Sequence, residues 1–173
     1  MKKFVFVING PGGVGKDTLC ALAAKHFRVK NISSITPIKE LAARCGWGGE
    51  KTDRARKFLA DLKALTVAYN DFPTRWILKE YEDFLAGDEQ IMFVHIREGS
   101  EIEKFVAATG GKAITLLVRG GKRFRRHAES YGNAADDGVE KYRYDYVFYN
   151  DHPLSETERI FVSFLRRVMQ EHE

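Results

Sequence analysis

The sequence predicts an α/β fold: a three-layer sandwich with helices on both faces of a five-stranded parallel sheet. Apolar runs of strand length alternate with amphipathic segments of helical length along the chain, a pattern typical of parallel sheets with crossover helices. The chain has 173 residues, which suits one well-buried domain and is short for two. Because no repeat or Pro/Ser-rich linker divides it, we expect a single domain over residues 1–173.

Composition and charge exclude several classes of protein. The chain is 44% hydrophobic and 30% charged, which is typical of folded rather than disordered proteins. Its net charge of +4 is too mild to predict nucleic-acid binding. No apolar run approaches the roughly 20 residues that span a bilayer, and the first run is too short for a secretory signal. We therefore expect a cytoplasmic protein with no membrane or nucleic-acid partner; no pattern indicates an oligomeric state.

The residue pattern also predicts the boundaries of strands and helices. The predicted strands are Phe4–Ile8, Val29–Ile35, Ile91–Ile96, Ala113–Val118 and Tyr144–Tyr149. The predicted helices are Lys16–Phe27, Pro37–Arg44, two helices between Thr52 and Leu85 that break around Asn70–Pro73, Ser100–Ala108 and Leu154–Met169. Ligands bind beyond the carboxyl ends of such strands, so the loops after residues 8, 96 and 118 are expected to share one site.

Two further local expectations concern a helix cap and the cysteines. Ser155 and Glu158 have the spacing of a capping box at the start of the last helix. Cys20 and Cys45 have neither a pairing framework nor metal-ligand spacing. We expect both thiols to be buried or half-buried in a reducing cytosol.

The glycine-rich loop that follows the first strand is the most informative segment. Gly10, Gly12 and Gly15 match a dinucleotide-binding pattern, whereas Gly10, Gly15 and Lys16 match a phosphate-binding pattern. Dinucleotide binding requires an acidic residue near the end of the second strand, and that strand has none. The loop therefore predicts a phosphate-binding loop.

Backbone N–H groups and one lysine would carry this site. Glycines let the amides turn inward around phosphate oxygens, and the following helix adds the positive end of its dipole. Lys16 would reach the β- and γ-phosphates as a point charge. The predicted ATP-binding residues are Gly10, Gly12, Gly13, Val14, Gly15, Lys16, Asp17 and Thr18, with Arg119 after the fourth strand.

Asp17 stands where the common motif has Ser or Thr as a ligand of Mg²⁺. Two interpretations stay open: Asp17 holds the metal through a water molecule, or it is a helix N-terminal carboxylate without a catalytic role. Thr18 can still donate its hydroxyl to the α-phosphate. Asp17 is thus the one candidate metal-binding residue, and ATP and Mg²⁺ are the expected cofactors.

These segments resemble the P-loop nucleoside monophosphate kinase group, in particular its phage-type deoxynucleoside monophosphate kinases and animal-type phosphomevalonate kinases. Gly15–Thr18 is similar to the loop ending of that branch, and Thr36–Glu40 to the segment after its second strand. His95–Arg97 with Glu101, and Tyr144–Asn150 in the last strand, are similar to its other motifs and occur in the same order.

The resemblance implies a P-loop NTPase fold of the nucleoside monophosphate kinase type. It further implies a helical acceptor-binding insert over about 37–86 and a lid over about 119–143. His95 occupies the position where the family usually carries an aspartate that partners magnesium or a substrate hydroxyl. Either Asp17 on the adjacent loop supplies the missing charge, or His95 is simply a hydrogen-bonded histidine at a strand end.

A basic run after the fourth strand is the predicted lid. Phosphoryl transfer requires positive charge over the phosphoryl oxygens, and Arg123 and Arg126 are three apart on one helix face. They are predicted catalytic residues together with Lys16 and Arg97; the alternative is a solvated basic face without a ligand. The run contains Arg119, Lys122, Arg123, Arg125 and Arg126.

The acceptor is expected to bind at the helical insert. A phosphate favours one or two bidentate arginines, and a flat group can stack on an aromatic ring. Trp76 is either such a ring or a core residue, as are Tyr69 and Phe72. The predicted substrate-binding residues are Lys39, Arg54, Arg56, Trp76 and Arg97.

Together these residues predict an ATP-dependent phosphotransferase. It would move the γ-phosphoryl group to a small phosphorylated acceptor, first of all a nucleoside or deoxynucleoside monophosphate. The alternatives are phosphomevalonate or another small acceptor, and a nucleotide-binding protein without transfer activity. A GTPase is disfavoured because the chain has no Asn-Lys-x-Asp motif.

Overall fold

The computed structural model describes residues 2–120 and 138–173, which form a parallel sheet with helices on both faces. The strands are β1 (Phe4–Asn9), β2 (Val29–Ser33), β3 (Ile91–His95), β4 (Ala113–Gly120) and β5 (Tyr146–Asn150). The helices are α1 (Lys16–Ala23), α2 (Thr36–Arg44), α3 (Asp53–Asn70), α4 (Phe72–Ala86), α5 (Gly99–Ala108) and α6 (Leu154–Glu171), with a 3-10 turn at Val139–Lys141.

The strand order β2-β3-β1-β4-β5 places β1 in the centre of the sheet. All six residues of β1 are buried, which explains its unbroken apolar sequence up to Asn9. Ile8 lies opposite His95 of β3 and Leu116 of β4. The loop after β1 is therefore flanked by the carboxyl ends of two other strands, which confirms that these loops share one edge.

Alternate side chains of the strands pack into two separate cores. On one face, Phe6 and Phe93 have ring centroids 5.7 Å apart, and Phe93 stacks at 6.4 Å on Phe161 of α6. On the other face, Val5 and Val7 pack with apolar residues of α4 and α5 such as Phe84 and Phe105. The three-layer α/β sandwich with five parallel strands is confirmed.

Several predicted boundaries are wrong: β2 ends at Ser33 rather than Ile35, and β4 at Gly120 rather than Val118. Two others have a local cause. Helix α1 ends at Ala23, four residues before the predicted end, because the N–H groups of Lys25 and His26 bond three residues back and close the helix as a turn. Strand β5 begins at Tyr146 rather than Tyr144. The preceding Asp145 instead accepts hydrogen bonds from the backbone N–H and the hydroxyl of Thr115, both at 2.8 Å.

Two local expectations are also wrong. The predicted capping box is not formed, because Pro153 occupies the cap position and Glu158 pairs with Lys25 at 2.7 Å and His26 at 2.8 Å. Cys45 is exposed, whereas Cys20 is buried as expected. Across residues 2–120 and 138–173, every helix is too short or too polar to cross a bilayer.

Candidate nucleotide-binding site

Three glycines of the loop after β1 adopt backbone angles that L-residues rarely adopt. The φ values are +150° at Gly10, +74° at Gly13 and +93° at Gly15. Gly10 is also packed tightly, since a Cβ atom there would lie 2.4 Å from the carbonyl oxygen of Val118 in β4. The glycines therefore set the path of the loop, as the sequence predicted.

Lys16, the first residue of α1, reaches back over this loop. Its Nζ donates hydrogen bonds to the carbonyl oxygens of Gly10 at 2.5 Å and Pro11 at 2.9 Å. Gly15 lies in the left-handed region directly before α1, so the loop runs into the positive end of the helix dipole. The ammonium group of Lys16, the loop and the N-terminus of α1 together suit an anionic ligand.

A buried asparagine fixes the start of the loop. Asn9 is 1% exposed, and its Oδ1 accepts a hydrogen bond of 2.8 Å from the N–H of Gly10. Its Nδ2 donates to the carbonyl oxygen of Arg97 at 3.0 Å and to the hydroxyl of Tyr144 at 2.8 Å. Asn9 thus joins the loop to the ends of two neighbouring segments.

A second buried asparagine holds the middle of the loop. Asn150 closes β5 and is 3% exposed, and its Nδ2 donates to the carbonyl oxygen of Val14 at 2.9 Å. In the part of the chain that the structure describes, Oδ1 of Asn150 is buried without a hydrogen-bond partner. The loop is therefore held from both sides by amide side chains at strand ends.

His95 lies beside the loop at the carboxyl end of β3. Its Nε2 is 2.9 Å from Oδ1 of Asn31 and 3.9 Å from Oδ1 of Asp17. Burial lowers the pKa of His95, more than the nearby Asp17 carboxylate raises it. The imidazole is therefore neutral at pH 7, and its Nε2 donates a hydrogen bond to Oδ1 of Asn31.

One carboxylate near the loop is accessible to a metal ion. No three His, Cys, Asp or Glu side chains converge as a metal site within residues 2–120 and 138–173. Asp17 is 96% exposed at the first turn of α1, so its carboxylate is accessible. Magnesium commonly takes one or two carboxylates and completes its shell with phosphate oxygens and water.

A charge cluster lies next to Arg97, where β3 leads into α5. Nζ of Lys63 in α3 donates to Glu98 at 2.7 Å and Glu101 at 3.1 Å. Burial raises the pKa of Glu101, and so does the hydrogen bond that its protonated carboxyl donates to Glu98. Burial also acts to raise the pKa of Glu98, but the hydrogen bonds that Glu98 accepts from Glu101 and Lys63 outweigh it and lower that pKa. Lys63 therefore ties α3 to the start of α5.

The other predicted acceptor residues are distributed over the helical layer. Lys39 of α2 and Arg54 of α3 are exposed, and Arg56 pairs with Asp53 at 3.7 Å. Trp76 is half-buried against the core on the α4 and α5 face, which favours its interpretation as a core residue. Arg97 is exposed at the end of β3, beside the loop.

Only the two ends of the predicted lid are described. Arg119 at the end of β4 pairs with Glu140 at 3.4 Å, so it joins this strand to the 3-10 turn. The predicted catalytic residues Arg123 and Arg126, with Lys122 and Arg125, lie outside the described residues. Their roles stay predictions.

The sequence did not indicate the side chains that hold the loop. Tyr144 and Asn150 belong to a motif of the last strand, whereas no motif marks Asn9 or Lys63. One signal was available: an asparagine that ends an otherwise apolar, buried strand must find hydrogen-bond partners inside the protein. No comparable signal marks Lys63, because its partners are distant in the sequence.

Comparisons with known proteins support the fold. Neither a family model nor a curated protein matches the chain. Solved structures do match: TT1252 from Thermus thermophilus has 19% identity and a TM-score of 0.56 over 96% of this chain and 98% of that one. This structure therefore shares the three-layer α/β fold of the chain.

Two further structures show the same architecture. A gluconokinase from Sinorhizobium meliloti 1021 has 16% identity and a TM-score of 0.52, covering 98% of this chain and 94% of that one. The tunicamycin resistance protein of Deinococcus radiodurans has 12% identity and a TM-score of 0.56, covering 96% of both chains. Both alignments cover at least 94% of each chain, so the similarity is one of overall architecture.

Proposed function

We propose that this protein is an ATP-dependent phosphotransferase that moves the γ-phosphoryl group to a small phosphorylated acceptor. The observation that carries the proposal is the phosphate-binding loop, in which Lys16 reaches over the backbone between Gly10 and Pro11. The similarity to a gluconokinase supports a small-molecule acceptor. The resemblance of the sequence to nucleoside monophosphate kinases makes a nucleoside or deoxynucleoside monophosphate the first candidate.

In this proposal the loop binds the triphosphate and Lys16 stabilises charge on the transferring group. The bond between the γ-phosphorus and its bridging oxygen breaks, a bond to an acceptor oxygen forms, and ADP leaves. Positioning and electrostatic stabilisation supply most of the catalysis in such transfers. Bound Mg²⁺ would neutralise phosphate charge, and Asp17 is the side chain proposed to hold it.

The acceptor is proposed to bind at the exposed end of β3, where Arg97 lies beside the loop. Lys39, Arg54 and Arg56 are further candidates on the adjacent helical layer, since arginine pairs well with phosphate oxygens. Arg119, Arg123 and Arg126 are proposed to approach the phosphates from the β4 side. A single domain in a reducing cytosol is part of the same proposal.

One observation favours a second candidate function, nucleotide binding without transfer. The neutral His95 occupies the strand end where the resemblance implies an aspartate. In this alternative Asp17 does not replace the missing charge. Binding of ATP without acceptor-dependent ADP formation is the result that distinguishes this second function from the first.

A coupled assay for ADP tests the proposal with ATP, Mg²⁺ and a panel that contains nucleoside monophosphates, deoxynucleoside monophosphates and phosphomevalonate. We expect ADP formation to depend on one acceptor class. Lys16→Ala should lower kcat by about 10²- to 10³-fold, the usual loss when one charge-stabilising donor is removed. Lys25→Ala is the matched control, since Lys25 lies just after α1 and pairs with Glu158 on the surface. Equal activity in the two variants would reject the role of Lys16.

A further inference from the structure

A continuous chain of hydrogen bonds crosses the carboxyl edge of the sheet. The N–H of Gly10 donates to Asn9, and Asn9 donates to the backbone of Arg97 and to the hydroxyl of Tyr144. That hydroxyl in turn donates to the carbonyl oxygen of Val139 at 2.8 Å. Three segments distant in the sequence, namely the loop, the Arg97 segment and residues 139–144, therefore meet through one amide and one phenol.

Both polar atoms of the Asn9 side chain take part in these hydrogen bonds. Oδ1 accepts from the loop, and the two hydrogens of Nδ2 go to the β3 end and to Tyr144. Because Asn9 is 1% exposed, water cannot replace a lost partner, and an unpaired buried group costs more than the bond itself contributes. The side chain is thus held in one orientation.

Tyr144 supplies the remaining support through its hydroxyl. Burial raises the pKa of Tyr144 to about 12, although the hydrogen bond from Asn9 lowers it. The phenol therefore keeps its proton at every ordinary pH and can accept from Asn9 while it donates to Val139. Its ring packs edge-on against Tyr142, with centroids 5.0 Å apart, so its position does not depend on the hydroxyl alone.

We propose that Asn9 and Tyr144 are positioning residues that fix the Arg97 segment relative to the first amide of the phosphate-binding loop. The proposal rests on the proposed function, because it places the acceptor beside Arg97 and the γ-phosphate on the loop. In-line transfer loses rate steeply when the two reactants are misplaced by about 1 Å. Asn9 links the two segments directly, because its side chain accepts a hydrogen bond from the N–H of Gly10 and donates one to the carbonyl oxygen of Arg97.

Tyr144→Phe tests the proposal in the full chain, since it removes the hydroxyl and keeps the ring. Tyr142→Phe is the matched control: Tyr142 is the other ring of the pair, and its hydroxyl makes no hydrogen bond to any described residue. We expect Tyr144→Phe to lower kcat about tenfold, which corresponds to losing one to two hydrogen bonds. The KM for ATP should stay within about twofold, because Lys16 and the loop amides beyond Gly10 are retained.

A second measurement does not depend on catalysis. Amide hydrogen exchange at Gly10, followed by NMR without nucleotide, should be about fivefold faster in Tyr144→Phe and unchanged in Tyr142→Phe. If the wild-type protein transfers no phosphoryl group, the proposed function fails and this exchange still decides whether the connection exists. Equal exchange in the two variants would overturn the positioning role, and so would faster exchange with unchanged kcat in an active enzyme.

Discussion

The two sides of the carboxyl edge are built from different interactions. On the side where the nucleotide is proposed to bind, called here the nucleotide side, positive φ angles at three glycines and the buried side chains of Asn9 and Asn150 fix the loop. On the side where the acceptor is proposed to bind, called here the acceptor side, Lys63 of α3 pairs with two glutamates at the start of α5, and several arginines are exposed. The nucleotide side is therefore fixed by backbone conformation and close packing, whereas ion pairs hold the helices of the acceptor side together.

This contrast predicts that the largest effect follows from adding one methyl group to the nucleotide side. In Gly10→Ala the new Cβ would lie 2.4 Å from the Val118 carbonyl oxygen at a φ of +150°. The Val118 carbonyl belongs to the backbone of β4 and cannot move away unless the strand shifts. The steric overlap and the unfavourable φ angle together should therefore lower the free energy of unfolding by about 3 kcal/mol. Urea denaturation measures this loss, and ATP binding should be lost with it.

Gly13→Ala separates strain from packing. Gly13 also has a positive φ, of +74°, but a Cβ there would meet no atom within 4 Å. Only the conformational cost of about 1 kcal/mol remains for this variant. If both variants lost the same free energy of unfolding, close packing against β4 would not be what fixes the loop.

An intermediate effect is expected on the acceptor side from Lys63→Met. The change leaves Glu98 and Glu101 together without their shared cation, and Glu101 keeps only 10% of its side chain exposed. Breaking a well-buried pair costs about 3–5 kcal/mol; because Glu98 is half exposed, we expect about 2 kcal/mol by urea denaturation. Since the pKa of Glu101 is already raised, part of this loss should be recovered as the pH falls and Glu101 binds a proton.

Two further variants sharpen this test. Lys63→Met combined with Glu101→Gln removes one carboxylate and should restore at least half of the lost free energy of unfolding. Lys57→Met changes a lysine of the same helix whose partner Asp61 is exposed, so it should cost less than about 0.5 kcal/mol. A loss in Lys57→Met as large as in Lys63→Met would show that the cost reflects helix α3 in general.

The same contrast explains what the sequence could predict. The fold and the loop follow from local patterns: apolar strands, helical periodicity and a glycine–lysine motif whose geometry is set by adjacent residues. The proximity of Asp17 to His95 also follows from the strand order, because Asp17 comes after β1 and His95 ends the neighbouring strand β3.

What the sequence could not predict depends on contacts between distant residues. The sequence pattern predicts Tyr144 within a strand, whereas in the structure it precedes β5 and its hydroxyl accepts a hydrogen bond from Asn9, 135 positions away in the sequence. Lys63 carries no motif, and its role arises only when α3 packs beside the start of α5. Exposed arginines such as Arg54 present the opposite difficulty, since charge on a helix surface has no local feature that distinguishes a ligand site from a solvated face.

The smallest effect is expected at His95, which lies where the two sides meet. Because burial lowers the pKa of His95 in the folded protein, the unfolded chain binds a proton at about pH 6.5 that the folded protein does not. The free energy of unfolding should therefore fall as the pH decreases through 6.5.

His95→Gln removes this proton uptake and can keep the hydrogen bond to Asn31, so its stability should decline less between pH 7.5 and 5.5 than that of the wild type. Urea denaturation across this range measures the difference, and His152→Gln, at a half-buried histidine away from the loop, is the control for losing a histidine. If the free energy of unfolding of the wild type and of His95→Gln declined equally with falling pH, the folded protein would bind the same proton as the unfolded chain. His95 would then become charged beside Asp17, and the neutral imidazole inferred at the end of β3 would be wrong.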